Sequence, residues 1–152
     1  MLKPPNTISS TEDASFYVSP SGDVWTVPNV SNSGPPSQTD PIRTLGAHCI
    51  KEISCGAFHI TMVDFNGLVF IAGNSLQNPV ESGNPMYYPF PNIVRNIPPM
   101  DSVHCGDYCV MTITDRRELW AMGCSQHNNL GLNTKEHQSK FVKVNDVAHV
   151  ID

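Results

Sequence analysis

Two sets of thiols and imidazoles hold the residues of this 152-residue chain that could do chemistry. His48, Cys49, Cys55 and His59 sit within twelve residues, and His104, Cys105, Cys109, Cys124 and His127 form the second set. Zinc takes Cys and His at short spacing, and bonds of about 2.0–2.3 Å force two ligands to converge within roughly 4 Å. If residues 55–59 are extended, Cys55 and His59 share a side but stand about 13 Å apart at 3.3 Å per residue. A turn at Gly56 would shorten that span. No Cys-x-x-Cys pair is present. No metal ligand and no cofactor is therefore assigned, and a small zinc protein remains an alternative. Cys55 and Cys105 read as small buried hydrophobes.

Catalysis finds little support. A general base needs a nucleophile or substrate within hydrogen-bond reach, and nothing near His59 suggests one. Its expected role is structural, as an imidazole hydrogen-bonded inside its unit. Cys124 follows Gly123 at the start of a loop and looks the most exposed of the five cysteines. The sequence has no Gly-x-Ser-x-Gly and no phosphate loop. No catalytic residue is assigned, and the chain is not expected to be an enzyme.

The elements that must position these residues repeat. Residues 53–74 and 103–124 align without a gap at an offset of 50. Cys55 meets Cys105, Gly56 meets Gly106, Phe58 meets Tyr108, Val69-Phe70 meets Leu119-Trp120, and Gly73 meets Gly123. A weaker copy lies upstream at an offset of 45, with Gly22 on Gly67 and Val24-Trp25 on Val69-Phe70. There the Cys-Gly pair becomes Ser10-Thr11. Val147-Ala148-His149-Val150 resembles Ile50-Lys51-Glu52-Ile53 and reads as the start of a fourth unit.

Within each unit the pattern is β. Residues 60–63 and 68–72 are short β-branched or aromatic runs separated by Asp64-Phe65-Asn66-Gly67, which reads as a hairpin. Ser21-Gly22 plays the same part in the first unit. Asp115-Arg116-Arg117-Glu118 lacks the glycine, so a different turn is expected there. First strands precede each Cys-Gly, at 51–54 and 102–104. Last strands are expected near Ile93-Val94 and 141–144. Four short strands per 45–50 residues is a propeller-blade signature. An aromatic at Trp25, Phe70 and Trp120 is expected to pack blade on blade.

These residues resemble the regulator of chromosome condensation repeat. Ile53-Ser54-Cys55-Gly56, His59, Asn66-Gly67 and Phe70 through Gly73-Asn74 follow that family's order, as do Val103 to Gly106, Trp120 to Gly123 and Asn128-Asn129-Leu130-Gly131-Leu132. Cys109 replaces the family's His, and Pro79 to Pro99 replace the Leu-Gly loop of the second unit. The resemblance implies an all-β, partial propeller of about three four-stranded antiparallel blades. The expected division is a tail at 1–7 and a propeller at 8–152, in units of about 8–49, 50–99 and 100–146 with a fourth starting at 147–152. Residues 55, 56, 59, 67, 70, 73, 105, 106, 120 and 123 are its structural repeat positions. Founding members act as exchange factors for a small nuclear GTPase, and others are attached to further domains. No stretch here maps residue by residue onto the exchange machinery. The implied role is a protein-interaction module or scaffold, with part of a guanine-nucleotide exchange factor as the alternative. Tyr87, Tyr88 and Phe90 form an aromatic-proline stretch placed in a long loop and read as a protein-contact surface.

Composition agrees with that frame. Hydrophobic residues make up 39%, enough for a core, while 13 Pro and 10 Gly with only 15% charged residues favour many short elements joined by turns. The net charge of −5 has no basic stripe, so direct nucleic-acid binding is not expected. No apolar run approaches a membrane span. Residues 1–10 have no apolar core, so a secretory leader is not expected and the odd cysteine count reads as free thiols in the cytoplasm or nucleus. Three blades leave two faces open, to be covered by further blades, by self-association or by a protein partner not identifiable from sequence.

Overall fold

Ile60, Thr61, Met62 and Val63 are all buried. Successive strand side chains point to opposite faces, so this run needs a packed layer on each side. The computed structural model describes residues 7–12, 14–28, 42–44, 49–74 and 87–145. The first blade holds β1 (Ile8–Ser10), β2 (Ala14–Val18), β3 (Val24–Pro28) and β4 (Ile42–Arg43). The second holds β5 (Ile50–Cys55), β6 (His59–Asp64), β7 (Val69–Asn74) and β8 (Tyr87–Ile93). The third holds β9 (Met100–Gly106), β10 (Cys109–Thr114), β11 (Leu119–Gly123) and β12 (Gln138–Lys143). Each is a four-stranded antiparallel sheet in sequence order. The expected tail up to residue 6 and the expected fourth unit at 147–152 lie outside the described residues.

The repeat extends to the register. Ile8, Tyr17, Trp25 and Arg43 pair across the first blade, Ile53, Met62, Phe70 and Ile93 across the second, and Val103, Thr112, Trp120 and Lys143 across the third. The second and third rows face the preceding blade. Phe16, Val18 and Val24 pack on Ile53, Ile60, Met62 and Phe70. Val63, Val69 and Ile71 pack on Met100, Val103 and Val110, with Trp120 against the same cluster. Each fully buried Val or Ile contributes roughly 1.5–3 kcal/mol. Trp25 holds the register position of Phe70 and Trp120, on the face of the first blade turned away from the second, stacked on Tyr17 with ring centroids 6.3 Å apart.

Polar contacts also recur between blades. Ser9 Oγ accepts from Cys55 N at 3.0 Å, and Ser54 Oγ accepts from Cys105 N at 2.9 Å. Ile50 N donates to Gly22 O and Met100 N to Gly67 O, both at 3.0 Å. Lys51 Nζ reaches Asp101 Oδ1 at 2.6 Å, joining the second blade to the third.

Two expectations are corrected. The third hairpin does not differ from the others. Arg117 takes φ +65° where Gly22 and Gly67 have +80° and +82°, and it donates to Thr114 O as they donate to Ser19 O and Asp64 O. A side chain at the head of each turn holds it in place: Ser19, Asp64 and Thr114 accept from the N–H four residues on. Tyr87 to Pro91 are not in a loop but in β8, the outermost strand of its blade. Its pairing jumps from Asn92 to Tyr88 while β7 moves only from Ile71 to Gly73. Prolines are tolerated at such a bulge and on an outermost strand, where no ladder donor is required. The same jump recurs in β12, between Val142 and Gln138.

Candidate functional site

The titratable and aromatic residues gather at the end of the blades formed by the β5–β6 and β9–β10 turns. Gly56 N donates to His59 O at 2.9 Å, so residues 55–59 turn rather than extend. The turn brings Cys55 and His59 closer than an extended chain would. Even so, among the described residues no three His, Cys, Asp or Glu side chains converge as a metal site would require. His48, expected in the first set, lies outside the described residues. His127 is exposed.

His59 is 2% exposed, and burial pushes its pKa down to about 4 despite the opposing pull of Asp107. The imidazole is therefore neutral, which suits a structural role. The expected hydrogen bond is missing at one nitrogen, for Nε2 has no partner. Cys109 takes the matching place in the third blade, beneath Gly106. Burial also pushes up the thiols of Cys55 and Cys109 and raises Cys105 to about 11. Cys105 Sγ donates to Ser54 O at 3.2 Å. Protonated thiols are poor nucleophiles. Cys124 is half-buried, and Cys49 is the exposed cysteine instead. The sequence hid this because Cys49 takes φ +56° in a link between blades.

Other repeat positions fix the backbone. Gly73 and Gly123 have φ +102° and +115°, and a Cβ on either would come within 2.4 Å of the carbonyl oxygen of Phe58 or Tyr108. Phe70 is buried between the first two blades, and Trp120 is half-buried between the second and third.

Phe58 and Tyr108 lie on adjacent turns with ring centroids 6.2 Å apart and planes tilted by 42°. Both rings are half-buried. Gly73 pairs with His59 on one side and with Tyr88 on the other, and Asn74 pairs with Tyr87. The backbone of Tyr88 therefore stands two strand spacings, roughly 10 Å, from that of His59. Phe58, which precedes His59, thus lies at the same end of the second blade as the backbone of Tyr87 and Tyr88. The alignment of Phe58 with Tyr108 signals their equivalence, but their contact across blades needs the three-dimensional stacking.

No protein-family model matches the chain. The mouse serine/threonine-protein kinase Nek9 is 25% identical over 103 residues, which are 65% of this chain and 10% of that protein. Among solved structures, human WBSCR16 superposes with a TM-score of 0.77 at 18% identity, over 96% of this chain and 41% of its own. Prp20p from Saccharomyces cerevisiae, described with its binding to Gsp1p and histones, gives 0.73 at 15% identity, covering 95% and 39%. Yeast RCC1 (Prp20) bound to Kap60 gives 0.72 at 16%, covering 95% and 38%. The chain therefore spans about a tenth of its kinase relative and about two fifths of these propellers. In fold the chain is similar to part of these propellers, as a run of three four-stranded antiparallel blades.

Proposed function

We propose that this chain is a non-catalytic protein-interaction module, working in the cytoplasm or nucleus, whose contact surface lies at the turn end of the second and third blades. The observation that carries this reading is the Phe58–Tyr108 pair beside the start of β8. Aromatic side chains are enriched where proteins bind one another, because they bury large area at low entropic cost. We include Tyr87, Tyr88 and Phe90, whose strand pairs with β7, in that surface. The low nucleophilicity of the buried thiols and the unpolarised, neutral His59 favour binding over chemistry. The test is affinity capture with the whole chain, in which Phe58→Ser with Tyr88→Ser should lose the proteins retained by the wild type. Equal capture by both would overturn the reading.

The likeness to Prp20p, described with its binding to Gsp1p, supports a second reading, part of an exchange factor for a small GTPase. Release of labelled GDP from Gsp1p separates the two. Stimulation by this chain favours exchange; an unchanged rate beside intact capture favours the module.

A further inference from the structure

At the end of the blades opposite Phe58 and Tyr108, the β6–β7 hairpin of the second blade lies beside the β10–β11 hairpin of the third. Gly67 O accepts from Met100 N at 3.0 Å, and Met100 pairs with Thr114 at the head of the third hairpin. The two turns therefore stand two chain spacings apart, a distance of roughly 10 Å that an extended segment crosses in about three residues. Both belong to blades packed on one another, and they stand at the strand ends rather than on a blade face. The second turn shows apolar side chains to solvent. Phe65 is 71% exposed and Leu68 46%. Exposed Pro99 lies against Gly67, where an added Cβ would stand 2.7 Å from Pro99 Cβ. The other hairpins hold Pro20 and Asp115 in the place of Phe65, so the turn itself does not require an aromatic ring.

Three arginines surround these side chains. Arg95 follows Val94, whose N–H donates to Val69 O at 2.8 Å, so it leaves the blade beside Leu68. Arg116 and Arg117 occupy the third turn, and all three are exposed. The other described cations at this end are paired: Arg43 with Asp23, Lys51 with Asp101 and Lys143 with Glu118. Among the described residues Arg95, Arg116 and Arg117 make no ion pair. Arg116 only adds a weaker pull on the Glu118 carboxylate that Lys143 already binds. Arg117 also stands against backbone preference. It takes φ +65° where the other hairpins have glycine, and glycine would hold such a turn at lower cost. Strain of that kind collects where a side chain is used.

We propose that these two hairpins dock an acidic protein segment, with one bulky apolar side chain on Phe65 and Leu68 and flanking carboxylates on Arg95, Arg116 and Arg117. Arginine receives a carboxylate through two parallel N–H donors, and aromatic and arginine side chains carry much of the energy of protein contacts. A polynucleotide fits less well. Asp115 stands in the same turn as the arginines, and the net charge of −5 repels a long polyanion. Screening beyond about 8 Å leaves a short acidic segment to the local arginines. This surface uses neither Phe58 nor Tyr108, so it and the surface proposed there can fail separately.

Fluorescence anisotropy with the whole chain at about 0.15 M salt tests it. The probe is a labelled Glu-Glu-Leu-Phe-Glu-Glu peptide, compared with Lys-Lys-Leu-Phe-Lys-Lys and Glu-Glu-Ser-Ser-Glu-Glu. The first should bind, and the other two should bind more weakly by about tenfold or more. Phe65→Ser, Arg116→Ser and Arg117→Gly should each weaken binding by about fivefold or more. Arg117→Gly removes the side chain while it relaxes the backbone, so its loss cannot come from misfolding. Lys135→Glu, in the exposed loop before β12 at the far end, should leave the affinity unchanged. Failure of the acidic apolar peptide to bind, equal affinity for the three peptides, or wild-type affinity in any of the three weakened variants would overturn the proposal. So would an equal loss in Lys135→Glu, or tighter binding of a single-stranded oligothymidylate.

Discussion

The imidazole of His59 lies directly against Gly56: a Cβ on that glycine would stand 2.0 Å from His59 Cε1 and 2.5 Å from the carbonyl oxygen of Gly106. In the third blade the matching neighbours are Gly106 and Cys109, and there a Cβ would meet Cys109 Sγ at 2.8 Å. A ring and a backbone oxygen cannot withdraw as a single sulfur can. Gly56→Ala should therefore cost about 2–3 kcal/mol, and Gly106→Ala about 1 kcal/mol. Urea midpoints at one fixed chain concentration measure both, and equal losses would contradict the packing of the ring.

The same ring makes stability depend on pH. Its folded pKa of about 4 lies below the ordinary 6.5, mainly through burial. Above pH 6.5 the imidazole is neutral in both states. Between 6.5 and 4 the unfolded chain takes up a proton that the folded chain refuses, so stability falls with pH. The loss amounts to about 3 kcal/mol when complete. His59→Gln should flatten that part of the profile relative to wild type, as read by unfolding at pH 7.0, 6.0, 5.0 and 4.0. An unchanged slope would mean that His59 titrates normally.

Arg117 carries left-handed backbone that glycines carry in the other two hairpins. A non-glycine residue there costs roughly 1–2 kcal/mol, partly offset by the unfolded-state entropy that glycine brings. Arg117→Gly should raise stability by about 0.5–1 kcal/mol. Gly67→Ala should lower it by more than that gain, since its Cβ would also stand 2.7 Å from Pro99 Cβ. A thermal shift of the wrong sign for either would refute the equivalence of the turns.

The sequence made the second and third blades legible because Gly73 and Gly123 sit where close backbone approach leaves little choice of residue, and Cys55 and Cys105 both bond through their N–H to a serine of the preceding blade. The first blade was fainter because Ser10 replaces the cysteine while Ser9 keeps the inter-blade contact. Direction was harder to read. Alternation in β6 says that two faces exist, but both are apolar, so which blade covers Met62 and which covers Val63 emerges only from stacking. For the same reason the sequence does not say that Trp25 faces away from the second blade while Phe70 faces the first. The aromatic run at 87–91 read as loop because its prolines deny strand propensity, and the bulge that admits them leaves no local signature.

Trp120 tests the stacking directly. It packs on the cluster of Val63 and Val69 from the second blade and Met100 from its own, though half-buried. Trp120→Ala should cost about 3 kcal/mol, the lower end for a large core aromatic. Trp25→Ala should cost much less, because its aromatic partner is Tyr17 of the same blade. Comparing the two by urea unfolding separates a position between two blades from one stacked within a blade. Similar losses would place Trp25 in the core.

The three turn heads form a graded series of one interaction. Asp64 is 6% exposed and its Oδ1 accepts from both Asn66 N at 2.9 Å and Leu68 N at 2.8 Å. Thr114 accepts from Glu118 N at 3.1 Å, and Ser19 from Asp23 N at 3.2 Å. A carboxylate that receives two backbone donors holds its turn more strongly than a hydroxyl that receives one, and bonds to charged groups are worth about 1.5–3 kcal/mol against about 1 for neutral ones. Asp64→Ala should therefore cost about 3 kcal/mol, Thr114→Ala about 1 and Ser19→Ala no more than about 1. Asp64→Asn keeps an acceptor without the charge and should recover part of the loss. Amide exchange at Leu68, Glu118 and Asp23 reads each bond singly. Exchange at Leu68 should quicken most, and an order led by Asp23 would show that the charge of Asp64 is not what secures the turn.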